Sequence, residues 1–347
     1  MKYLKRTVLA IILIVVVLAL RTLISSGTFK KISPHEKQPV EVIKGMVGAE
    51  DITIDRSIGK ALVSSDDRRA TRAGHPKKGA IYLLDFLAKP PVFIDLTAGF
   101  KQKDFHPHGI SLYHDMADSS KWLFVVNHRE SGHFIEKFRF TDSSLVHVES
   151  ISNEKIISPN DVVGVGQHQF YFTNDHGVRG SLSSWKDFLL IGTGSVGYYD
   201  GKEVEIIDSG LGYANGINLS RDGKYVIAAT TTYKSLYIYE KGTNKRVGKV
   251  NCNTGLDNIE LDENGSLWIG CHPKMLAFLG HAKDPLKRSP AQVLKVDLNY
   301  GDFSKSKIEE VYLSNGNPLS GSSSAAVVND VLLLGTVFED GVGMTRF

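Results

Sequence analysis

The sequence has few cysteines, no interdomain linker and no strongly charged segment. Cys252 and Cys271 are the only cysteines among its 347 residues, so an exported chain has at most one disulfide, and we predict that both thiols are free. No stretch rich in proline, serine and glycine interrupts the chain, which favours one folded domain despite the length. The net charge of +3 is spread out, and no basic cluster is interleaved with aromatic residues, so we expect no nucleic-acid partner.

The densest basic run contains Arg68, Arg69, Arg72, Lys77 and Lys78. It lies between two strand-like segments. Blocks of like charge usually mark solvated segments of a chain. We therefore expect a solvated loop at this position, without a specific partner.

Long apolar runs are absent except at the N-terminus. Three basic residues within the first six precede an apolar run from Val8 to Leu20, which has the length of a signal-peptide core and is short for a full membrane span. No clear small-residue cleavage site follows it. We predict a signal anchor or signal peptide over residues 1–27, with an uncleaved anchor favoured. Residues 28–347 would then lie outside the cytoplasm, periplasmic or extracellular, or be secreted if the segment is cleaved.

A repeat occupies most of the remaining chain. In each unit a polar or small residue opens an apolar strand-like run, and a second such run follows after a turn. The six units begin at Glu50, His108, Asn160, Asn215, Asp257 and Ser322. Their spacing of roughly 40 to 65 residues is typical of propeller blades or solenoid repeats. Together with hairpin signals such as Asp222-Gly223 and Asn264-Gly265, the repeat predicts an all-β fold, a six-bladed β-propeller.

The polar residues that open these units share an oxygen-bearing side chain: Glu50-Asp51, Asn160-Asp161, Asn215 and Asp257-Asn258. Any one of them alone would be read as a turn or capping residue. Equivalent residues from successive units meet only if the units surround a common axis. Because calcium is held by about six to eight oxygen ligands, a metal site at the centre of the fold is predicted.

Eight segments, in order from about Pro39 to Phe338, resemble those of the serum paraoxonase/arylesterase family. They are HPHGIS at 106–111, VVNH at 125–128, PNDVV at 159–163, TNDH at 173–176, ANGIN at 214–218 with DGKYV at 222–226, LDNI at 256–259, LWIGCHP at 267–273 and GTVF at 335–338. A single motif of this kind is weak. Eight in register indicate homology over nearly the whole predicted domain.

The resemblance implies a six-bladed propeller with two calcium ions in a central tunnel, and hydrolysis of lactones and aryl esters. The catalytic calcium would be bound by Glu50, Asn160, Asn215, Asp257 and Asn258. The structural calcium would be bound by Asp51, Asp161 and the backbone carbonyl of Ile110. The family's histidine dyad falls on His108 and His128, and His176 matches a further histidine near the site.

The residue types suit this chemistry. Three of the five predicted ligands of the catalytic ion are neutral amides, so a divalent cation there keeps positive character and can polarise an ester or lactone carbonyl. His108 is suited to take a proton from the attacking water, and His128 could orient its ring or relay the proton. We expect a small lipophilic substrate, membrane association through the N-terminal segment, and a monomer or weak oligomer.

One departure from the family concerns ring closure. The mammalian members close the ring with a disulfide between the terminal segments, whereas this chain has no cysteine near Val40 to Val47 or after Phe338. Closure must therefore rest on strand pairing and packing.

Two other functions fit a propeller. One is an enzyme of the gluconolactonase or strictosidine-synthase type, which would share the fold but not the paired histidines. The other is a non-catalytic extracellular propeller that binds proteins at its rim. The pair His108 and His128 argues against the first, and the set of oxygen ligands argues against the second.

Overall fold

The computed structural model describes residues 2–177 and 181–346. In this part of the chain, 24 strands form six antiparallel sheets of four strands each. The first strands of neighbouring sheets contact one another, so the sheets surround a central axis. The predicted six-bladed β-propeller is confirmed, and each predicted repeat unit corresponds to the two inner strands of one blade.

Five blades follow chain order from the axis to the rim. Blade 1 consists of β2 (Ala49–Asp55), β3 (Lys60–Ser65), β4 (Ala80–Asp85) and β5 (Val92–Asp95). Blade 2 consists of β6 (Pro107–His114), β7 (Lys121–Arg129), β8 (Gly132–Phe140) and β9 (Leu145–Ile151). Blade 3 consists of β10 (Pro159–Gly164), β11 (Phe170–Asn174), β12 (Gly194–Tyr199) and β13 (Val204–Leu211). Blade 4 consists of β14 (Ala214–Leu219), β15 (Tyr225–Thr230), β16 (Ser235–Glu240) and β17 (Lys245–Asn251). Blade 5 consists of β18 (Gly255–Leu261), β19 (Leu267–His272), β20 (Ala291–Asp297) and β21 (Lys307–Ser314).

The sixth blade joins the two ends of the propeller. Its three inner strands are β22 (Ser322–Val328), β23 (Val331–Thr336) and β24 (Asp340–Arg346), and its outer strand is β1 (Glu41–Val47). In the antiparallel pairing, Glu41 faces Met344 and Val47 faces Asp340. Cys252 and Cys271 are both buried and free, as predicted. The ring is therefore closed by backbone hydrogen bonds and packing, without a covalent link.

The apolar core lies between the blades. Six buried clusters occupy the six spaces between adjacent sheets. The space between blades 5 and 6, for example, is filled by Trp268, Val293, Ala325 and Leu334. Each blade therefore buries both faces, as two-sided sheet packing requires, and the polar residues of the inner strands face the axis.

Helices cover one end of the propeller, called here the upper end. They are α2 (Arg68–Arg72), α3 (Ser181–Phe188) and α4 (Met275–Lys283), and a short 3-10 turn, Phe303–Lys305, lies outside blade 4. The apolar helix α1 (Lys2–Ser25) is longer than the predicted apolar run, and from Tyr3 to Ser25 it is long and apolar enough to span a membrane. The C-terminal end of α1 lies at the upper end of the propeller. There the backbone N–H of Met275 donates to the carbonyl of Ser26, directly after α1, at 2.9 Å.

Candidate functional site

Each innermost strand is irregular at the residues that the sequence singles out. The register with the second strand shifts between Ala49 and Asp51, Pro107 and Ile110, Pro159 and Val162, Ala214 and Ile217, Leu256 and Ile259, and Ser322 and Ala325. A regular strand points successive side chains to opposite faces. An irregularity of this kind lets two consecutive residues both face the axis, which explains why Glu50 and Asp51 are both buried.

Two glycines let neighbouring inner strands approach closely. A Cβ atom on Gly109 would lie 2.5 Å from the Cα atom of Asp161, and one on Gly216 would lie 2.6 Å from the Cα atom of Asn258. Such distances are shorter than van der Waals contact. Glycine at these two positions therefore brings the polar residues of adjacent blades together at the axis.

The upper part of the tunnel holds the residues predicted to bind the catalytic ion, called here the upper cage: Glu50, Asn160, Asn215, Asp257 and Asn258. All five are at most 4% exposed. Asn258 Nδ2 donates to Glu50 Oε1 at 2.8 Å, and Asn215 Nδ2 donates to Thr231 Oγ1 at 3.0 Å. The amide nitrogens of Asn215 and Asn258 thus have protein partners, which orients the oxygens of these two amides.

Four oxygen atoms of the upper cage lack a protein hydrogen-bond donor within residues 2–177 and 181–346: Glu50 Oε2, Asn160 Oδ1, Asn215 Oδ1 and Asn258 Oδ1. A buried polar atom without a partner costs about 1–3 kcal/mol. Four such atoms from one ligand set fit a bound cation, which would satisfy them together.

The donor set of the upper cage consists of oxygen. Across the described ranges 2–177 and 181–346, no group of three His, Cys, Asp or Glu side chains is arranged to hold a metal ion. The upper cage instead combines two carboxylates with three amides. Oxygen donors of this type suit calcium, whereas zinc sites use mainly histidine and cysteine.

The charges around Glu50 keep it ionised. Burial raises the pKa of Glu50, but His108, Arg68 and the hydrogen bond from Asn258 outweigh that effect and lower it to about 2. Burial raises the pKa of Asp257, which His272 opposes through a contact of 2.7 Å between Nε2 and Asp257 Oδ2.

The predicted dyad is adjacent to the upper cage. His108 Nε2 lies 3.5 Å from Glu50 Oε1, and His108 Nδ1 lies 2.8 Å from His128 Nε2. Burial and the nearby His108 and His133 lower the pKa of His128 well below its usual value, so this ring is neutral at pH 7. The edge of His108 that faces the cage is therefore the one available to substrate or water.

Below the cage lie Asp51 and Asp161, called here the lower pair. Asp51 accepts the backbone N–H groups of Ile52 and Ile110 at 2.9 and 2.7 Å. Asp161 accepts those of Val162 and Ile217, both at 2.7 Å. The lower pair and Ile110 border a cavity of about 290 Å³ at the lower end of the tunnel. Burial raises the pKa of both carboxyl groups well above the usual value, and for Asp51 the neighbouring Asp161 adds to this.

His176 lies outside the upper cage. Its Nδ1 is 2.7 Å from Asp175 Oδ1, and its Nε2 is 2.7 Å from Asp187 Oδ2 on α3. Burial lowers the pKa of His176, but these two hydrogen bonds and charges outweigh it and raise the pKa to about 10. Since both ring nitrogens are occupied and the ring is charged, His176 is unsuited to act as a base.

A cavity of about 450 Å³ lies at the upper end, between the blades and the helices. It is bordered by His176 and His272 and by apolar side chains from α3 and α4, including Phe188 and Met275. Residues from the last turn of α1 and its end complete the wall: Thr22, Ser25 and Ser26. Thr22 Oγ1 donates to the carbonyl of Phe188 at 2.6 Å. The end of the apolar helix is therefore part of the entrance to the site.

The prediction of a solvated loop for the basic run is wrong for Arg68 and Arg69. These residues begin α2, which is capped by Asp67, whose side chain accepts the N–H of Ala70 at 3.0 Å. Arg68 Nη2 lies 3.7 Å from Glu50 Oε2, and Arg69 Nη1 donates to the carbonyl of Phe338 at 2.7 Å. The run follows β3, which ends at the upper end of the propeller. The side chains of Arg68 and Arg69 therefore contact other parts of the protein instead of pointing into solvent.

Two further histidines were not assigned a role from the sequence. His272 contacts Asp257 and stacks on Phe278 with ring centroids 3.8 Å apart. His133 pairs with His128 across the β7–β8 hairpin. His272 belongs to the motif LWIGCHP, and its place at the end of an inner strand was a usable signal. His133 belongs to none of the eight motifs, and only strand register reveals it.

The comparisons agree with this geometry. The sequence model of the family described as arylesterase matches residues 42–342. The chain is 35% identical to serum paraoxonase/arylesterase 1 of Homo sapiens, over 90% of each chain. It is 33% identical to serum paraoxonase/lactonase 3 of Oryctolagus cuniculus, over 91% of each chain.

Among solved structures, the fold is similar to that of a calcium-binding protein, regucalcin, of Agrobacterium tumefaciens. The TM-score is 0.51 at 14% identity, covering 91% of this chain and 93% of the other. This likeness shows the propeller fold alone. The family match and the identity to paraoxonases over nine-tenths of the chain decide the assignment: the protein belongs to the arylesterase family, a family of carboxylic ester hydrolases.

Proposed function

We propose that this protein is a calcium-dependent hydrolase of lactones and aryl esters, with the catalytic ion held in the upper cage. The observation that carries the proposal is the set of four buried cage oxygens that have no hydrogen-bond partner among residues 2–177 and 181–346. The relatives are a paraoxonase/arylesterase and a paraoxonase/lactonase, which supports esters and lactones as the substrate class. When bound, a divalent cation in this cage supplies a Lewis acid that polarises the substrate carbonyl.

The side chains of the cage set the charge at the reacting carbonyl. Glu50 and Asp257 contribute two negative charges, and His272 disperses part of the charge on Asp257. The three amides contribute oxygen atoms without charge. A ligand set of this kind preserves the field that stabilises the negative charge developing on the carbonyl oxygen in the transition state.

His108 is proposed as the general base. Its Nε2 faces the upper cage, while its Nδ1 contacts His128. A water molecule between His108 and the carbonyl would transfer a proton to Nε2 as its oxygen bonds to the acyl carbon. His128 holds the ring of His108 in the orientation that this transfer requires.

The lower pair is proposed to hold a second, structural calcium with the backbone carbonyl of Ile110. Two buried carboxylates that repel each other fit a shared cation, because the charge of a bound cation would offset that repulsion. Their hydrogen bonds to Ile110 and Ile217 join blade 1 to blade 2 and blade 3 to blade 4. The role of this pair is therefore to hold neighbouring blades together.

The apolar wall of the upper cavity favours a small lipophilic substrate. Phe188, Leu190, Met275 and Leu276 supply most of that wall. We further propose that α1 anchors the protein, with residues 28–347 as a hydrolase domain outside the cytoplasm. The basic residues Lys2, Lys5 and Arg6, which precede the apolar run at the start of α1, support this orientation.

Turnover of a panel of lactones and phenyl esters by the full chain in detergent tests the proposal. We expect turnover that EGTA abolishes and calcium restores. Turnover that survives exhaustive chelation, or that zinc alone restores, would contradict the identity of the ion. An absence of any turnover by calcium-loaded, folded protein would contradict the proposed activity.

A further inference from the structure

Three basic side chains border the upper cavity: Arg72, Lys234 and Lys283. Lys234 is half-buried in the turn between β15 and β16, whereas Arg72 and Lys283 are exposed at the rim. The guanidinium of Arg72 packs against the ring of Phe338, 4.9 Å from its centroid. Within residues 2–177 and 181–346, none of the three cations forms an ion pair with Asp or Glu.

The acid on the cavity wall does not balance these charges. Asp187 is the single acid among the described residues that border the cavity, and its Oδ2 lies 2.7 Å from His176 Nε2. Arg288, at the same end of the propeller, shows the contrasting arrangement, because its Nη1 lies 3.0 Å from Glu339 Oε1. The cavity therefore combines an apolar wall with positive charge that the protein leaves unpaired.

The position of Lys234 disfavours an isolated positive charge. Burial lowers the pKa of Lys234, and the nearby Lys30 lowers it further. An anion beside Lys234 would offset both effects, because it would replace lost hydration and reduce the repulsion between the two lysines. The turn itself is held in place: Lys234 has a φ of 53°, which is uncommon for lysine, and its carbonyl accepts the N–H of Cys252 at 2.8 Å.

The cavity adjoins the upper cage. Two of its wall residues contact cage side chains: Thr231 Oγ1 accepts from Asn215 Nδ2 at 3.0 Å, and His272 Nε2 lies 2.7 Å from Asp257 Oδ2. Thr231 and Lys234 belong to the same turn and are three residues apart, a span of at most about 11 Å. The cage and the charge of Lys234 are therefore within reach of one small molecule.

We propose that the upper cavity selects lipophilic esters whose acyl chain carries a carboxylate, and that Lys234 contacts this carboxylate. The apolar wall would hold the hydrocarbon part, and the ammonium group would donate a charge-assisted hydrogen bond to the carboxylate. Arg72 and Lys283 attract the anion at the rim. The inference rests on the proposed function, because it assigns the cavity to the substrate of the upper cage.

Two matched esters test this preference. Phenyl hexanoate and monophenyl adipate have acyl chains of equal length, and only the second chain ends in a carboxylate. Lys234→Met removes the charge and keeps an unbranched side chain, whereas Lys234→Arg keeps a cation. Lys241→Met is the matched control, because Lys241 is an exposed lysine in the β16–β17 turn, at the opposite end of the same blade.

The measured quantity is kcat/KM for monophenyl adipate divided by kcat/KM for phenyl hexanoate, for the calcium-loaded full chain in a nonionic detergent. We expect Lys234→Met to lower this ratio roughly tenfold, the order expected for losing one charge-assisted hydrogen bond. Lys234→Arg and Lys241→Met should keep the parental ratio. Added salt should lower the ratio of the parent, because it screens the charge at the rim. Melting temperatures of all variants check that the fold is kept.

A parental ratio in Lys234→Met would overturn the inference. An equal fall of the ratio in Lys241→Met would also overturn it, because the effect would then follow net charge and not this cavity. If the ratio is unchanged but Lys234→Met loses binding to vesicles that contain phosphatidylglycerol, the charge serves the membrane surface and the inference fails. In all three cases, parental hydrolysis of phenyl hexanoate leaves the proposed function intact. If the calcium-loaded parent hydrolyses neither ester, the proposed function fails and the substrate assignment with it.

Discussion

The two ends of the tunnel use neighbouring residues in opposite ways. Glu50 and Asn160 belong to the upper cage, and the residues that follow them, Asp51 and Asp161, form the lower pair. Four of the upper oxygens are buried without a protein donor among the described residues. Each aspartate of the lower pair instead accepts two backbone N–H groups.

This difference assigns different costs to the two ends. In the upper cage the cost is unsatisfied polarity, which a bound cation would relieve. In the lower pair each carboxylate oxygen already has a backbone donor, and the cost is the burial of two neighbouring carboxyl groups. An upper site built in this way is suited to chemistry, whereas the lower one is suited to holding blades together.

The largest effect should follow from removing an upper oxygen. Asn258→Leu and Asp257→Ala should abolish measurable turnover, because they would remove ligands of the proposed catalytic ion. One lost oxyanion contact alone costs about 10²–10³-fold in kcat. The fold should largely persist. Calorimetric calcium titration and kcat check this. Asn258→Asp, which keeps an oxygen donor, is the control and should still bind calcium.

The second-largest effect should distinguish the role of the proposed ion from that of the proposed base at the upper end. His108→Gln should keep calcium affinity, because His108 is not in the cage, while kcat falls by about 10²- to 10⁴-fold. His128→Gln should show a smaller loss. A base acts in its neutral form, so the parental pH–rate profile should have an acidic limb, and His108→Gln should lack it. A parental rate with an unchanged pH profile would show that the base is another group.

At the lower end the effect should be on stability. Asp51→Ala and Asp161→Ala each leave two buried N–H groups without partners, at about 1–3 kcal/mol for each group. They should also weaken the proposed structural ion, whose binding would add about 2.7 kcal/mol at 100 times its Kd. Melting curves with calcium and with EGTA separate the two contributions. Equal loss of melting temperature in these variants and in Asp257→Ala and Asn258→Leu would remove the distinction between the two ends.

The smallest effect concerns His176, which is near the upper end but outside the cage. Because its folded pKa is raised to about 10, its ion pairs contribute stability that is complete below the unfolded value of about 6.5 and is lost as pH rises toward 10. The parent should therefore lose stability relative to His176→Gln across this window. Denaturant unfolding at several pH values checks this, and parallel curves for the two proteins would contradict the pairing.

The sequence predicted the blades because the repeat combines oxygen-bearing residues, apolar runs and turn residues at fixed positions. The hairpin residues Gly223, Gly265 and Asn329 do adopt positive φ, at 68°, 86° and 54°. The sequence pattern does not predict the irregular register of the inner strands, because alternation of polar and apolar residues does not show where a strand bulges.

The residues that were missed depend on tertiary contacts. Arg68 belongs to a charge run, and only the direction of the preceding strand turns it toward Glu50. His133 lies opposite His128 because the β7–β8 hairpin turns at residues 130 and 131. The sequence reveals this pairing only if a two-residue turn is assumed at that position. Composition could not distinguish either residue from an ordinary solvated side chain.

The closing of the ring by β1 and β24 also has a consequence for biosynthesis. Among the strands of the propeller, β1 is synthesised first and its partner β24 is synthesised last. While the ribosome is still adding residues, the early blades have no closed ring to join. This pairing spans nearly the whole propeller and can form only after β24 has been made. A nascent chain that stops short of residues 340–346 leaves its first strand exposed as an unpaired edge, which quality-control proteases and chaperones can recognise.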